Sequence, residues 1–421
     1  MTTPARTLNR VLIVVFLAGF YLQADLVLTA SLKIPAVGAL FGGLGLLALH
    51  LGRLRHGDLV FVAVWIGLAL TSLIANPAFW EATGLWSRND HAYATSFVVF
   101  LTALAMGIGV FTGLRLWRAE EIARLALATL LLMLAGAAAE RWLGLAPISD
   151  QVRTLLYVQD ITYAENLRDQ VLYGGVRPKL FTSEPSHVAK FYMVMLLVWY
   201  VTASAWWRTP AVYSLLLAGV TVVQSPTMLV ALPAIWAADL CRSRAGAGWL
   251  LAVALALALA PLGLTAAEAL FAGRLEHILT GQDTSFIYRA VMPFDVMARV
   301  WADHPLFGLG IGAKESGIPY AVAAAHDLGL DAGILLATTS PLGNNGLAIG
   351  LIQLGAVGSL GFAASLVAFW RFACGRHWPF AAAGMLGYLL LIGGINEPRF
   401  WGGLALLGAA AAAAERRASE V

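Results

Sequence analysis

Apolar runs, each about the length that crosses roughly 30 Å of hydrocarbon as a helix, follow one another through almost the whole chain. Few folds are open to such a sequence. A bilayer offers no water to satisfy backbone N–H and C=O groups, so its segments must be helices or close into a barrel. Barrel strands would be shorter and would alternate apolar with polar residues, and nothing here alternates. Hydrophobic residues make up 60% of the chain and charged ones only 12%, roughly half the charge of a soluble domain. The expected fold class is therefore all-α, a polytopic membrane helix bundle.

About twelve spans are expected from apolar length: 11–28, 35–51, 59–75, 93–114, 122–139, 188–206, 210–223, 227–240, 249–271, 346–370, 380–395 and 402–414. The basic start, 1–10, followed by an apolar run imitates a signal peptide. No small-residue cleavage site follows and Asp25 interrupts, which reads as an uncleaved first helix. Arg6, Arg10, Arg53, Arg55, Arg115, Arg118, Arg124, Arg208, Arg242, Arg244, Arg371, Arg376, Arg416 and Arg417 then fall on one side, against Lys33, Arg88 and Arg399 opposite. The positive-inside rule puts both termini in the cytoplasm. The chain divides into helices 1–5 (1–139), a first large outer loop (140–187), helices 6–9 (188–271), a second large outer loop (272–345), and helices 10–12 with a tail (346–421). Loops this long usually carry function, and the aromatic residues in both argue against disorder. The formal charge of +3, spread over loops, excludes a polyanion-binding design, so nucleic acid is not an expected partner. Cys241 and Cys374 offer no disulfide framework.

The richest chemistry lies in Arg177-Pro-Lys-Leu-Phe-Thr-Ser-Glu-Pro-Ser-His187. Two prolines hold the backbone extended or turned. Glu184 sits at the doorstep of a span, where desolvation raises a carboxyl pKa and nearby cations lower it, a setting suited to a general base. Arg177 and Lys179 can donate to phosphate, the first as a fork and the second as a point charge, with His187 beside them. The plainer alternative is a decorated helix start capped by Ser183 or Ser186. A second constellation runs from Asp283 through Tyr288 and Arg289 to Arg299, His304 and Gly312. Arg289 and Arg299 can both face a lipid diphosphate; surface pairing of Arg289 with Asp283 or Asp295 is the competing reading. Residues 305–312 read as a turn that lets backbone approach a ligand, and 290–301 as an amphipathic helix lying over the bundle. Asp25, Asp239 and Glu268 fall within or near apolar spans, where ionised groups are costly. Asp25 is expected to pair with Lys33, Asp239 with Arg242 and Arg244, and Glu397 with Arg399.

Asp303-His-Pro-Leu-Phe-Gly-Leu-Gly-Ile-Gly312 resembles the hPlfGvG signature in the outer loop of the O-antigen ligase/polymerase superfamily. Thr284 to Arg289 resembles that family's upstream arginine element, and Asn344-Asn-Gly-Leu-Ala-Ile-Gly-Leu-Ile-Gln-Leu-Gly-Ala-Val-Gly358 its HN…L…ElGiiG helix start. Arg177 to Ser186 is similar to the R…G.f.EPs stretch of Wzy-type polysaccharide polymerases. The resemblance covers about 177–370. It implies a GT-C-like architecture of about twelve transmembrane helices with two large periplasmic loops, in a bacterial inner membrane, with the active site at the periplasmic face. It implies a glycosyltransferase that polymerises undecaprenyl-pyrophosphate-linked repeat units of O-antigen or exopolysaccharide, inverting and metal-independent. No cofactor is implied; membrane lipids and a chain-length regulator are the further partners. In ligases a histidine precedes the asparagine; here Asn344 stands there, and an amide cannot act as a base. Ser225-Pro226 likewise replaces the family's Ser-Arg. Glu184 is then the expected catalytic base. Arg177, Lys179, His187, Tyr288, Arg289, Arg299, His304, Asn344 and Asn345 are the expected substrate-binding set. A ligase that passes glycan to lipid A core is the alternative, and a flippase or transporter of lipid-linked sugars the second.

Overall fold

The computed structural model describes residues 3–29, 32–76, 88–157, 166–173, 175–242, 274, 276–312, 315–331 and 342–420. The chain is almost entirely helical. Its elements are α1 (Thr3–Leu22), a hairpin of β1 (Leu26–Thr29) and β2 (Leu32–Ile34), α2 (Val37–His50), α3 (His56–Ile74), α4 (Arg88–Leu114), α5 (Ala119–Trp142), α6 (Ala146–Leu156), α7 (Asn166–Tyr173) and α8 (Pro185–Thr202). They continue with α9 (Arg208–Val223), α10 (Leu232–Arg242), α11 (Met292–Asp303), α12 (Ile318–Asp327), α13 (Gly346–Cys374), α14 (Trp378–Leu389) and α15 (Pro398–Glu420).

Among the described residues, five stretches are long and apolar enough to cross a membrane: Pro4–Leu22, His56–Ile74, Tyr93–Leu114, Ala119–Trp142 and Gly346–Leu389. The chain is a membrane protein by this measure. Shorter apolar helices accompany them, and the expected span 249–271, with Glu268, lies outside the described residues. The helix expected over 11–28 stops at Leu22. Gln23 takes a left-handed φ of 54°, and the chain turns into the antiparallel hairpin that pairs Leu26 with Ile34, the strand exception in an otherwise helical fold. Asp25 accepts a hydrogen bond from the Ala36 backbone N–H at 2.9 Å, while the side chain of Lys33 lies outside the description. The span expected at 227–240 opens as a 3₁₀ segment, Pro226–Ala231, before α10 begins. Pro233 explains the break, because it has no N–H for an α-helical bond and its ring crowds the preceding turn. Asp239 accepts from the Tyr200 hydroxyl, a partner the sequence did not suggest.

Helix packing follows membrane rules, with small residues at the closest crossings. α2 lies against both α1 and α4, and a Cβ on Gly109 would sit 2.1 Å from the Gly43 carbonyl oxygen. An aromatic core joins α3, α4, α13 and α15: Trp65 meets Trp401 edge-on at 4.9 Å and Phe61 stacks on Phe369 at 4.2 Å. A second apolar cluster joins Met292, Val296 and Val300 of α11 to Ala321 and Ala324 of α12 and to Ile349 and Ile352 of α13. The amphipathic helix expected over 290–301 therefore exists as α11, starting at Met292 behind Pro293, and it seats its apolar face on protein.

The glycine-rich turn 305–312 brings its backbone against another stretch of this chain, where it repairs a broken helix. α13 is interrupted at Gly355, whose φ is 62°, a conformation glycine adopts without Cβ strain. The break orphans backbone groups on both sides, and the second loop satisfies them. Leu309 N–H donates to the Ile352 carbonyl and Gly310 N–H to that of Gln353, each at 2.9 Å. In return Ala356 and Val357 donate to the carbonyls of Pro305 and Leu306, also at 2.9 Å. A Cβ on Gly308 would lie 2.2 Å from the Ile352 oxygen, and one on Gly355 2.4 Å from the Gly308 nitrogen. Residues 305–310 and 352–357 are thus the two halves of one backbone splice.

Candidate functional site

The site begins with Glu140 at the end of α5. Its buried carboxylate accepts from the backbone N–H groups of Lys179 (2.6 Å) and Leu180 (2.9 Å), which folds the first loop back onto the bundle. Leu180 and Phe181 both take positive φ, 45° and 67°, at a cost of about 1–2 kcal/mol per residue. Neighbouring groups must over-determine such a conformation. Phe181 N–H donates to Ser149 Oγ at 3.0 Å, and the Arg153 guanidinium donates to the carbonyls of Thr182 (2.7 Å) and Ser183 (2.8 Å). This clamp presents Glu184 as the residue that opens α8, with Pro185 in the first turn. Neither Ser183 nor Ser186 caps the helix as the plainer reading had it. Ser186 Oγ donates to Glu184 Oε1 at 2.5 Å, and Ser183 Oγ bonds His187 Nδ1 at 3.1 Å.

Cations and an imidazole surround the Glu184 carboxylate. His187 Nε2 lies 3.1 Å from Oε1, Lys190 Nζ 3.8 Å from Oε1, and Arg289 Nη2 3.7 Å from Oε2. Arg289 comes from the second large loop, on a π-helical turn, Ile287–Val291, that leads into α11; such turns recur at functional sites. Asn345 fixes that turn, donating to the Arg289 carbonyl at 3.3 Å while its Oδ1 caps α13 through Ala348 N–H at 3.2 Å. Burial pushes the Glu184 carboxyl up, but the hydrogen-bonded His187 and the Lys190 and Arg289 cations outweigh it and hold the group well below the usual carboxylate range. Burial, together with Arg399 3.4 Å from Nε2, lowers the His187 imidazole to about 4. The neutral ring then donates from Nε2 to Glu184 and accepts at Nδ1 from Ser183.

Glu184, Pro185 and Ser186 line a narrow cleft with Tyr173, Arg177, Arg274, Ser285 and Arg289. It encloses about 30 Å³, room for the oxygens of an anion rather than for a sugar ring. Two of its guanidinium groups are held from behind. Arg177 pairs at 2.9 Å with the fully buried Asp169 and lies over the Tyr173 ring, 4.3 Å from its centroid. Arg274 pairs at 2.9 Å with Asp283 and bonds the Tyr173 hydroxyl. Buried carboxylates thus fix the arginines in orientation, which is how a site is preorganised for an anion. On the other side of Arg177 a second cavity of about 440 Å³ is lined by Glu140, Arg141, Trp142, Ala146, Asp150 and residues 175–179, within the size range of small-molecule sites.

The sequence-derived residues sort unevenly. Glu184, Arg177 and Arg289 share the cleft, and His187 and Asn345 stand behind it as positioning groups. Lys179 does not reach the cleft: it is buried on the wall of the larger cavity, with Nζ 3.4 Å from Asp150. Arg299 is also elsewhere, on the outward face of α11, paired with Asp295 at 3.1 Å and Asp327 at 2.6 Å. Helix geometry is the reason: Arg289 lies on the π-helical turn before α11 and Arg299 near the end of α11, so the two side chains leave the axis in different directions. Arg289 reaches Glu184, while Asp283 pairs with Arg274 and Asp295 with Arg299. Tyr288 packs half-buried against the α11–α13 cluster. His304 terminates α11, and Asn344 is half-buried in the turn before α13; neither lines the cleft. Sequence reasoning missed Arg274, Asp169 and the link from Arg399 to His187. Arg399 does pair with Glu397, at 4.0 Å, but it also reaches the site. Only the concentration of cations in the outer segments pointed this way, and it does not say which ones converge.

No family model matches the chain, and no curated protein matches it.

Proposed function

We propose that this membrane protein is a glycosyltransferase of GT-C-like architecture that uses a polyprenyl-diphosphate-linked donor. In the fuller reading it is a Wzy-type polymerase of undecaprenyl-pyrophosphate-linked repeat units. It would have about twelve spans, both termini in the cytoplasm and its cleft at the periplasmic face of a bacterial inner membrane, with a chain-length regulator as partner. One observation carries the reading: Glu184 from one large loop meets Arg289 from the other, in a cleft that Arg177 and Arg274 also line.

In that reaction the acceptor hydroxyl gives its proton to Glu184 as its oxygen attacks the anomeric carbon of the donor sugar. The C–O bond to the diphosphate breaks with inversion, and the leaving oxygen takes the electron pair. Arg177, Arg274 and Arg289 neutralise the charge that develops there. A carboxylate held far below its usual pKa is a weak base, and Arg289 offers the remedy. A donor diphosphate that engages Arg289 draws it from Glu184 and raises the carboxylate's proton affinity as the substrate arrives. The 440 Å³ cavity on the far side of Arg177 has room for a sugar ring.

Purified protein in nanodiscs, supplied with lipid-linked repeat units, tests the reading. A ladder of products supports polymerisation, single transfer to a foreign acceptor supports the ligase, and uptake without transfer, measured on the same protein in sealed vesicles, supports transport and removes the enzyme. Arg289→Gln is expected to weaken donor binding and to raise the Glu184 pKa, since it removes a cation from beside the carboxylate. The acidic limb of kcat/KM should therefore move to higher pH than in the parent protein. An unmoved limb would assign it to a group other than Glu184.

A further inference from the structure

α6 is inside out. The side it turns to the protein is polar: Ser149 and Arg153, the latter only 3% exposed, hold the strained segment 181–183 that precedes Glu184. Its apolar residues look away from the protein. Leu145, Ile148, Val152 and Leu155 recur with helical spacing along one flank; Leu155 is 78% exposed, Leu145 and Ile148 are exposed, and Val152 is half-buried. Gln151 and Thr154, also exposed, occupy a third flank. A helix in water does the reverse, as α11 does when it buries Met292, Val296 and Val300 and turns Asp295, Arg299 and Asp303 outward.

Three flanks need three surroundings, and a bilayer boundary supplies the two that protein does not. The position fits. α5 is long and apolar enough to span a membrane and ends at Trp142; Gly144, with φ of 72°, bends the chain, and α6 follows at once. Trp142 and Leu143, 62% and 75% exposed, continue the apolar flank around the elbow from Leu131 and Leu132, which are exposed on α5 itself. The Arg141 guanidinium lies over the Trp142 ring at 5.3 Å, a pairing at home in the headgroup layer.

We propose that α6 lies in the plane of the membrane where α5 emerges, its Leu145, Ile148, Val152 and Leu155 flank seated among phospholipid acyl chains. Gln151 and Thr154 face water, and Ser149 and Arg153 face the protein. The bilayer then fixes the depth of the helix whose Arg153 clamps the loop before Glu184. This inference needs only that the protein is membrane-bound and stands apart from glycosyl transfer.

The test places a nitroxide on single cysteines at positions 148, 151, 154 and 155, in a Cys241→Ala background, in phosphatidylcholine nanodiscs. Accessibility to oxygen, which concentrates in acyl chains, is compared with that to a water-soluble nickel chelate. Labels at 148 and 155 are expected to favour oxygen, and those at 151 and 154 the chelate. Free access of the chelate to 148 and 155 would put the flank in water and overturn the proposal. Exclusion of both reagents there would overturn it too, in favour of a protein or a second copy on this face. All four side chains are exposed, so size-exclusion elution of each labelled protein suffices to show that the fold is kept.

Discussion

Replacing Glu184 with Gln is expected to lower glycosyl transfer by about 10²–10⁴-fold, the usual contribution of a general base, and to leave the protein folded and able to bind donor. The amide keeps the shape of the side chain, and its oxygen still accepts from Ser186 Oγ and His187 Nε2. What it cannot do is take a proton. The arginines proposed to face the diphosphate retain their own buried carboxylates, Asp169 for Arg177 and Asp283 for Arg274, so donor affinity should hold or rise as Arg289 is released. Single-turnover rates and donor binding, measured on the same nanodisc preparation, separate the two quantities. Full activity in the Gln protein would remove Glu184 as the base, whereas loss of donor binding along with rate would make it a structural member of the cluster. Glu184→Asp should recover part of the rate, since it restores the charge but shortens the reach from a fixed helix start.

Gly355→Val should yield little or no folded protein. Every route to accommodating the side chain is closed. The φ of 62° is one that a β-branched residue adopts only under strain, and its Cβ would meet the backbone nitrogens of Phe307 and Gly308 at 2.5 and 2.4 Å. Straightening α13 would remove the clash but would strand the four backbone groups of residues 305, 306, 309 and 310 that the kink satisfies. Unpaired buried groups cost about 1–3 kcal/mol each, so the total loss should exceed about 4 kcal/mol, the range reserved for failures of this kind. The monodisperse fraction in fluorescence-detected size exclusion checks it. Gly361→Ala, on the same helix but with only the Leu68 side chain nearby, is the control and should fold. A Gly355→Val protein of normal yield would mean that the splice between the second loop and α13 is dispensable.

The splice also shows where reading residues in order stops being enough. Glycines at 308, 310 and 312 announce backbone freedom, and a ligand is one natural beneficiary. Here another stretch of backbone, more than forty residues later, takes that place, and nothing local distinguishes the two cases. Lys179 and Arg299 failed for a related reason. Composition marks a segment as rich in cations, but the direction of each side chain depends on where helices start and on which carboxylate folding brings within reach, Asp150 for Lys179 and Asp295 and Asp327 for Arg299. Asp169, Asp283 and Glu140 all look like ordinary loop carboxylates until folding brings them to Arg177, Arg274 and the 179–180 backbone.

Hydrophobic length needs no partner to be read, because a backbone in hydrocarbon can satisfy itself only within its own helix. The residues alone therefore determined a helical membrane protein, and they placed Glu184, Arg177 and Arg289 among a wider set of candidates that also held Lys179, Arg299 and His304. Only the tertiary structure decided that the first three share one cleft, that Arg274 joins them while Arg299 and Lys179 do not, and which way α6 turns its apolar flank. Those outcomes depend on pairings between different elements, from Lys179 with Asp150 to Glu184 with Arg289, and such pairings are properties of the packed chain rather than of any stretch of it.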